Sequence, residues 1–357
     1  MVNLMKKWYY PDGKSDNTIE NNRSYFLDNL KFILITLVVV GHFSFKLCDI
    51  KIIDKLVYFI YIFHMPCFIF TNGLLAKNMN AGGRLRIDKI LSIFTMYLIF
   101  KMGNAIIKFI FSGYFALELL HDSSAPWYLI SLCIWYLFIP VMERIKPRYF
   151  ISGTVLIGLA AGYFNSIKFE FSLSRVLVFF PFFAIGFYLS KEKLEEFLNK
   201  PLRVLALAFL IAEFICIVVF WKELSAVYSI LFGGTPYSEG LRNLAPYGIL
   251  FRSLWYVAAL LTSAATMLLV PRCKLFFSEL GSRTLPIYMT HVWIRNILNY
   301  VGFFVMIKEG PAYLDILVIL GSVGLTFLLA NKWLKKLFDL LMMPKLYRRI
   351  FYERNQL

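Results

Sequence analysis

Residues 27–46 read LDNLKFILITLVVVGHFSFK, an apolar run in which only Asp28, Lys31, His42 and Lys46 can carry a charge. About 20 such residues form an α-helix long enough to cross the hydrocarbon core of a bilayer. Comparable runs recur along the chain and predict an all-α, multi-pass protein of the cell membrane with about ten transmembrane helices. We place these helices near 27–46, 55–76, 88–112, 127–142, 149–165, 175–190, 203–221, 247–270, 284–306 and 313–334.

The composition agrees with this assignment. Of the 357 residues, 59% are hydrophobic and 17% are charged, whereas ordinary soluble domains carry roughly 25% charged residues. The net charge of +16 would suggest nucleic-acid binding in a soluble protein, but basic residues also accumulate in the cytoplasmic loops of membrane proteins. We therefore expect the lipid bilayer as a partner and no nucleic acid. The five cysteines lie far apart, and their spacing predicts no metal site.

The distribution of Lys and Arg predicts the topology. With the amino terminus inside, the predicted cytoplasmic segments hold 25 of these residues and the predicted external segments hold 7. Such a bias sets the orientation of membrane proteins during insertion. We predict cytoplasmic termini, with a retained polar segment (1–26), a membrane domain (27–340) and a basic tail (341–357). Neither an internal repeat nor a long linker is visible, and we expect one membrane domain without a soluble catalytic module, so that any chemistry takes place in or against the helix bundle.

Titratable side chains inside the predicted spans are the candidates for function, because each costs several kcal/mol in hydrocarbon unless it faces a cavity or a partner. Lys31 and His42 are 11 residues apart, which places them within about 20° of one helix face and roughly 16 Å apart along the axis. We expect Lys31 near the cytoplasm and His42 in the outer half. His64 lies in the second span, and Arg252 in the eighth either snorkels or points inward.

Two further spans carry polar residues at helical spacing. Tyr288, His291 and Arg295 follow the i, i+3, i+7 rule, and so do the residues of the third span, which are Lys101, Asn104 and Lys108. Three such faces predict a water-accessible, positively charged passage through the bundle. Glu213 is either its counter-ion or a neutral carboxylic acid.

These motifs together resemble those of membrane acyltransferase family 3. That family opens with a basic residue, ten others and a histidine, as Lys31 and His42 do. Similar motifs follow in the family's order: Phe63-His64-Met65-Pro66 with Gly73, the basic residues Arg84, Arg86 and Lys89, then Trp127-Tyr128-Leu129, and Leu280-Gly281 through Tyr288 and His291. The resemblance is closest to the single-domain branch that O-acetylates surface polysaccharides. The family usually has Arg where Lys31 stands, and a lysine offers phosphate a point charge rather than a bidentate contact.

The resemblance implies an O-acyltransferase that moves an acyl group, usually acetyl, from cytoplasmic acyl-CoA to a hydroxyl of a surface or secreted glycan. Acetyl-CoA would be a substrate, with no permanently bound cofactor, and the acceptor would be a glycan or lipid-linked saccharide. His42 would act as general base, and His64 would orient it or bind the acyl carbonyl. The residues implied for the coenzyme phosphates are Lys31, Arg84, Arg86 and Lys89. Those implied for the acceptor are Trp127, Tyr128, Tyr288, His291 and Arg295.

Alternatives stay open at this point. Trp127 and Tyr128 are also typical of aromatic anchors at the bilayer surface. The polar passage is compatible with a transporter or flippase for a polysaccharide intermediate, although no repeated halves support it. An inactive accessory subunit of a polysaccharide synthase is a third hypothesis. No Cys or Ser stands in an activating context, which favours direct transfer over a covalent acyl-enzyme.

Overall fold

The computed structural model describes residues 24–47, 51–119, 125–167 and 172–352, and within these ranges it contains helices and no strand. The helices are α1 (Tyr25–Ser44), α2 (Lys51–Leu75), α3 (Ile87–Ser112), α4 (Trp127–Leu137), α5 (Pro147–Ala160), α6 (Leu173–Tyr188), α7 (Lys191–Asn199), α8 (Arg203–Val219), α9 (Gly248–Leu269), α10 (Thr284–Tyr300), α11 (Tyr313–Leu329), α12 (Lys332–Leu341) and α13 (Pro344–Tyr352). Short helices at Ile139–Met142, Trp221–Ala226, Tyr237–Gly240 and Phe303–Lys308 connect some of them. The predicted all-α class is confirmed.

An α-helix lies in each of the ten predicted spans. Within the described residues, the stretches long and apolar enough to cross a bilayer are Tyr25–Ser44, Ile52–Asn78, Ile87–Ser112 and Arg242–Leu269. Two sharply bent pairs are α6 with α7 and α11 with the helices after it, and counting each pair as one span gives up to six. The other helices are shorter, and α4 has only 11 residues. The protein therefore has the helices of a membrane protein, while the count of ten stays a prediction.

The loops meet in two groups, one at each end of the bundle. At the end that carries Lys31, hydrogen bonds join the segments around residues 77–80, 143, 189, 199 and 271–273. At the end that carries His42, they join the segments around residues 163–165, 174–175, 232–238 and 246. We call these the Lys31 end and the His42 end. The four predicted cytoplasmic loops between helices share the first end and two of the predicted external loops share the second, as an alternating path through a bilayer requires.

Helix α1 lies in the middle of the bundle, against α2, α10, α11 and the helical turn Ser278–Arg283. Its buried Asn29 fixes it to that turn: the side-chain amide donates to the carbonyls of Pro271 and Cys273 at 2.9 and 3.0 Å, and its carbonyl accepts from Ser278 at 2.6 Å. A buried polar side chain needs such partners to offset its desolvation. The first helix is therefore held in register with the loop that leads into α10.

Helices α2 and α6 cross closely at a pair of glycines. A Cβ atom on Gly73 would lie 2.1 Å from the carbonyl oxygen of Phe183, and one on Gly186 would lie 2.0 Å from that of Phe70. No side chain fits at these distances, so the two backbones can touch only because both residues are glycine. This contact explains why a glycine follows the His64 motif at position 73.

A proline within α2 shapes the helix beside His64. Pro66 has no backbone N–H, which leaves the carbonyl of Ile62, four residues earlier, without its helical partner. The indole Nε1 of Trp255 in α9 donates to that carbonyl at 3.1 Å. The proline thereby joins α2 to α9 without an unpaired polar group.

Arg252 anchors α9 inside the bundle at the His42 end. Its guanidinium is fully buried, donates from Nη1 to the carbonyl of Gly158 at 2.9 Å, and lies 4.4 Å from the centre of the Tyr237 ring. Of the two alternatives for this residue, snorkelling to the surface is therefore wrong. The cation–π contact fixes Tyr237, and with it the connecting segment that covers this end of the bundle.

Candidate functional site

Two cavities lie one after the other between the helices. The first, which we call the apolar cavity, has a volume of about 220 Å³ and is lined largely by apolar side chains, among them Ile35, Phe68, Ile93, Tyr128, Leu132 and Leu285. The second, which we call the His42 cavity, has a volume of about 190 Å³ and is lined by His42, Tyr61, His64, Trp127, Arg175 and Arg295. Val38, Met65 and Tyr288 belong to both linings. These three residues form the boundary between the cavities.

The lining follows helical periodicity on α1. Ile35 and Val38 face the apolar cavity, and His42 and Phe45 face the His42 cavity. Lys31 precedes Ile35 by four residues, so it lies one turn further toward the Lys31 end on the same face. The two cavities therefore lead from the Lys31 end of α1 to His42, along the face that the 11-residue spacing indicated.

The polar face predicted on α10 lines the cavities, whereas the one predicted on α3 does not. Thr284, Tyr288 and Arg295 of α10 face the cavities. Lys101 and Lys108 face neither cavity, and their ammonium groups lie over the rings of Tyr97 and Tyr114 at 5.7 and 4.9 Å. The polar face of α3 therefore lines neither cavity, and its Asn104 packs against α10, where Asn296 donates to it at 3.2 Å.

Glu213 is not a counter-ion of the passage. Its two carboxylate oxygens lie 2.8 and 2.9 Å from the hydroxyl of Thr262, and neither residue lines either cavity. The second wall of the passage comes from α2, whose Tyr61, His64, Met65, Phe68 and Asn72 line it instead of the lysines of α3.

His42 and His291 are joined directly. Nδ1 of His42 lies 2.8 Å from Nε2 of His291, and the two rings stack with centroids 5.0 Å apart and planes inclined by 27°. Nδ1 of His291 lies 2.8 Å from the carbonyl oxygen of Ile287, one turn earlier in α10. His291 is fully buried, whereas His42 is half-buried in the cavity wall.

This chain of contacts determines where the protons are when both rings are neutral. A carbonyl oxygen only accepts, so Nδ1 of His291 carries a hydrogen and Nε2 of His291 has the lone pair. Nδ1 of His42 must then donate to His291. The lone pair of His42 is therefore on Nε2, the nitrogen that is not engaged by His291, in a side chain that lines the cavity. This arrangement would suit a general base, because the unprotonated nitrogen is held in a fixed orientation.

His64 lies in the wall of the same cavity and has a similar local arrangement. Its Nδ1 donates to the carbonyl of Ile60 at 2.7 Å, and its ring meets that of Tyr61 edge to face at 4.7 Å. In the neutral form its Nε2 is consequently an acceptor. A neutral His64 can accept from a hydroxyl of a ligand but cannot donate to an acyl carbonyl.

The four basic residues implied for a phosphate site lie at or near the Lys31 end of the passage. Lys31 pairs with Asp28 at 2.9 Å, and Arg86 holds both oxygens of Asp88 at 3.0 and 2.7 Å. Lys89 precedes Ile93 of the apolar cavity by one helical turn, and Arg84 is exposed in the loop before α3. Lys31 and Arg86 are thus already paired with carboxylates.

Arg348 is a basic residue near this cluster that the sequence did not single out. Helix α13 packs against α3, where the hydroxyls of Tyr347 and Thr95 lie 2.6 Å apart. This contact brings Arg348 close enough for its charge to act on Lys89. The predicted basic tail is therefore helical over Pro344–Tyr352 and returns to α3. Its alternation of basic and apolar residues is the signal from which an amphipathic helix could have been predicted.

The aromatic residues implied for the acceptor are divided between the cavities. Trp127 lines the His42 cavity, whereas Tyr128 lines the apolar cavity and is 5% exposed, which excludes it as an anchor at the bilayer surface. The buried hydroxyl of Tyr128 has no hydrogen-bond partner within the described part of the chain. Tyr288 lies at the boundary, and its hydroxyl donates to the carbonyl of Ala125.

Two arginines reach the His42 cavity from different helices. Arg295 belongs to the face of α10 that the sequence predicted. Arg175 was not predicted as a site residue, because an arginine at the first position of a span also suits the bilayer surface. Its guanidinium donates to the carbonyl of Phe232 at 3.2 Å and lies 5.5 Å from the Trp127 ring centre.

Comparison with models of protein families matches residues 24–331 to an acyltransferase domain, that of acyltransferase family 3. A search of curated proteins found no match, and a search of solved structures found none either. The matched range covers most of the chain and includes both cavities and the linked pair His42 and His291. The chain therefore belongs to acyltransferase family 3, and it is a membrane acyltransferase.

Proposed function

We propose that the protein is an O-acyltransferase, most specifically an O-acetyltransferase, that moves an acyl group from cytoplasmic acyl-CoA to a hydroxyl of a surface or secreted glycan. The observation that carries this proposal is the contact between His42 and His291, which leaves a lone pair on His42 Nε2 in the wall of a cavity. A sugar hydroxyl is a poor nucleophile, and a base that removes its proton during attack is the usual remedy.

The transfer is a direct one. Nε2 of His42 takes the proton of the acceptor hydroxyl while the hydroxyl oxygen attacks the carbonyl carbon of the thioester. The tetrahedral intermediate then collapses: the carbon–sulfur bond breaks, an ester forms, and the coenzyme thiolate accepts the proton from His42. His291 positions His42 throughout, and through its contact with the Ile287 carbonyl it favours the tautomer with Nε2 unprotonated.

The coenzyme occupies the Lys31 end of the passage. Its phosphates bind to Lys31, Arg84, Arg86 and Lys89, since charge-assisted contacts to phosphate are among the stronger polar interactions in proteins. Arg348 adds a further charge to this cluster. The pantetheine arm lies in the apolar cavity, where its amides give the buried hydroxyl of Tyr128 a partner that the described residues do not supply. The thioester then reaches His42 at the boundary formed by Val38, Met65 and Tyr288.

The glycan occupies the His42 cavity. Trp127 offers an aromatic face for a sugar ring, and Nε2 of His64 accepts from one of the sugar's other hydroxyls. Tyr288 and Arg295, on the face of α10 that carries His291, complete the wall against which the acceptor is held. The acceptor is a polysaccharide repeat or its lipid-linked precursor.

The rival hypotheses of a flippase and an inactive accessory subunit predict no chemistry, which gives a direct test. Purified protein in proteoliposomes is given radiolabelled acetyl-CoA and polysaccharide acceptors, and both free thiol and glycan ester are measured. The proposal predicts thiol release in step with ester formation, and only when an acceptor is present. Glycan movement or acceptor binding without thiol release would contradict the proposal and favour the rivals.

A further inference from the structure

The His42 cavity carries positive charge from two directions. Arg175 from α6 and Arg295 from α10 both line it, and its described lining contains no aspartate or glutamate. Opposite charges attract more strongly in a cavity that is partly shielded from water than in bulk solvent. An anion that enters the cavity would be attracted to both guanidinium groups.

The hydrogen-bond donors of the Arg295 guanidinium point more directly to a ligand. Its Nη2 donates to the side-chain oxygen of the neighbouring Asn296 at 2.9 Å, while its buried Nε has no hydrogen-bond partner in the part of the chain that the structure describes. A guanidinium has five donors in a planar fork, and that fork matches the two oxygens of a carboxylate or phosphate. The donors of Arg295 therefore have capacity left for a ligand.

The surroundings at this end of the bundle strengthen the positive field. Lys46 lies just beyond the end of α1, and burial together with the charges of Arg295 and Lys308 lowers the pKa of its ammonium group. Both Arg295 and Lys308 are cations, so they repel the ammonium group of Lys46. An anion brought into the cavity would reduce this repulsion as well as pair with Arg295.

We infer that the acceptor carries an anionic group, which Arg295 binds with the help of Arg175 while a hydroxyl of the same acceptor is presented to His42. This inference rests on the proposed function. The shared chemistry is that of an oxyanion, either the carboxylate of an acidic sugar or the diphosphate that links a saccharide to its lipid carrier. The arginines thereby select the acceptor and align it, whereas His42 performs the proton transfer.

A different role for Arg295 would be to stabilise the oxyanion of the tetrahedral intermediate, as in other acyl transfers. That role concerns the acyl group, so it would affect every acceptor by the same factor. Selection of an anionic acceptor concerns the glycan, so it affects the ratio between charged and neutral acceptors. The ratio separates the two roles.

The test uses the purified full-length protein, acetyl-CoA and three probes. These are a hexuronate oligosaccharide, the same oligosaccharide with its carboxyl groups reduced, and a neutral oligosaccharide joined to a polyprenyl diphosphate. We expect wild-type kcat/KM for one of the two anionic probes to exceed that for the carboxyl-reduced probe by about ten- to a hundredfold, the usual worth of a hydrogen-bonded charge pair. The preferred probe identifies carboxylate or diphosphate as the recognised group.

Arg295→Gln should bring this ratio close to one, Arg175→Gln should reduce it in part, and Arg295→Lys should restore part of it. Arg242→Gln is the matched control, because Arg242 is exposed at the same end and lines neither cavity. Equal use of charged and neutral probes by the wild type, or a uniform loss with every probe in Arg295→Gln, would overturn the inference and leave the proposed function standing. Transfer to none of the three probes would contradict both.

Discussion

Nδ1 of His42 lies 2.8 Å from Nε2 of His291, although the two residues are 249 positions apart in the chain. The carbonyl of Ile287 fixes the hydrogen of His291 on the far side of its ring. His291 can therefore act only as the acceptor in a neutral pair, and His42 is left with its lone pair on Nε2. Helices α1 and α10 thus form the proposed base together, each contributing one ring.

This relationship predicts how substitutions of His291 differ. His291→Phe keeps an aromatic ring but removes the acceptor, so the tautomer and orientation of His42 are no longer fixed. We expect kcat to fall by about a hundredfold or more, since a wrongly oriented base is nearly inactive in related arrangements. His291→Gln can place an amide oxygen near the position of Nε2 and should retain much more activity. The measurement is steady-state kinetics of purified variants whose thermal unfolding matches the wild type. Equal activity of the two variants would contradict the positioning role.

Substitutions of the basic residues at the Lys31 end should weaken the binding of acyl-CoA and leave the proton transfer at His42 unchanged. Neutralising Arg84, Arg86 and Lys89 should raise KM for acyl-CoA more than it lowers kcat, because phosphate contacts change little between ground and transition states. Arg86→Gln alone should have a small effect, because the Arg86 guanidinium is already held by Asp88. Lys193→Gln, exposed at the same end, is the control. An unchanged KM in a folded triple variant would leave these charges with a purely topological role.

Filling the boundary between the two cavities should block acyl transfer while the residues at the Lys31 end and at the His42 end stay unchanged. Val38 is 2% exposed and lines both cavities. In Val38→Phe the added ring fills the boundary, so the thioester no longer reaches His42. We expect kcat to fall by about a hundredfold, the cost of a small displacement of a reacting group, while acyl-CoA still binds. Leu37→Phe on the adjacent, non-lining position should be nearly silent. Normal turnover by folded Val38→Phe would show that acyl groups do not pass this point.

The sidedness of the bundle is a separate prediction. Reporter fusions should place 113–126 and 221–246 outside the cell, and 77–89 and the carboxyl terminus inside. In a cysteine-free protein, a membrane-impermeant thiol reagent should label Arg242→Cys from outside and Lys193→Cys only after the membrane is opened. Labelling of Lys193→Cys in intact cells would reverse the bundle and place the coenzyme cluster on the wrong side.

The positions of the helices and of the polar faces on α1 and α10 could be predicted because they depend on local spacing. Hydropathy locates apolar runs, and the 11-residue interval places Lys31 and His42 on one face. What a face packs against is not local, which is why the lysines of α3 were wrongly assigned to the passage. The hydrogen bond between His42 and His291 is equally non-local.

Arg175 and Arg348 show a second reason why some residues of the site could not be predicted from the sequence. A basic residue at the end of a membrane helix has the same sequence pattern whether it faces lipid headgroups, a loop or a cavity. Only the packing of α6 against Trp127, and of α13 against α3, separates these cases. The sequence therefore predicts the base and the end at which it lies more readily than the arginines that surround its substrates.

The central claim is that His42 is the general base, and ester formation by purified His42→Ala protein tests it most directly. Removing a general base typically lowers the rate by about 10²–10⁴-fold, and His42→Gln, which keeps a hydrogen-bonding side chain without the basicity, should be almost as inactive. Both variants should insert into the membrane and bind acetyl-CoA as the wild type does. Glycan acetylation by His42→Ala at the wild-type rate would contradict the mechanism, whereas loss of ester formation with acetyl-CoA binding retained is the result it predicts.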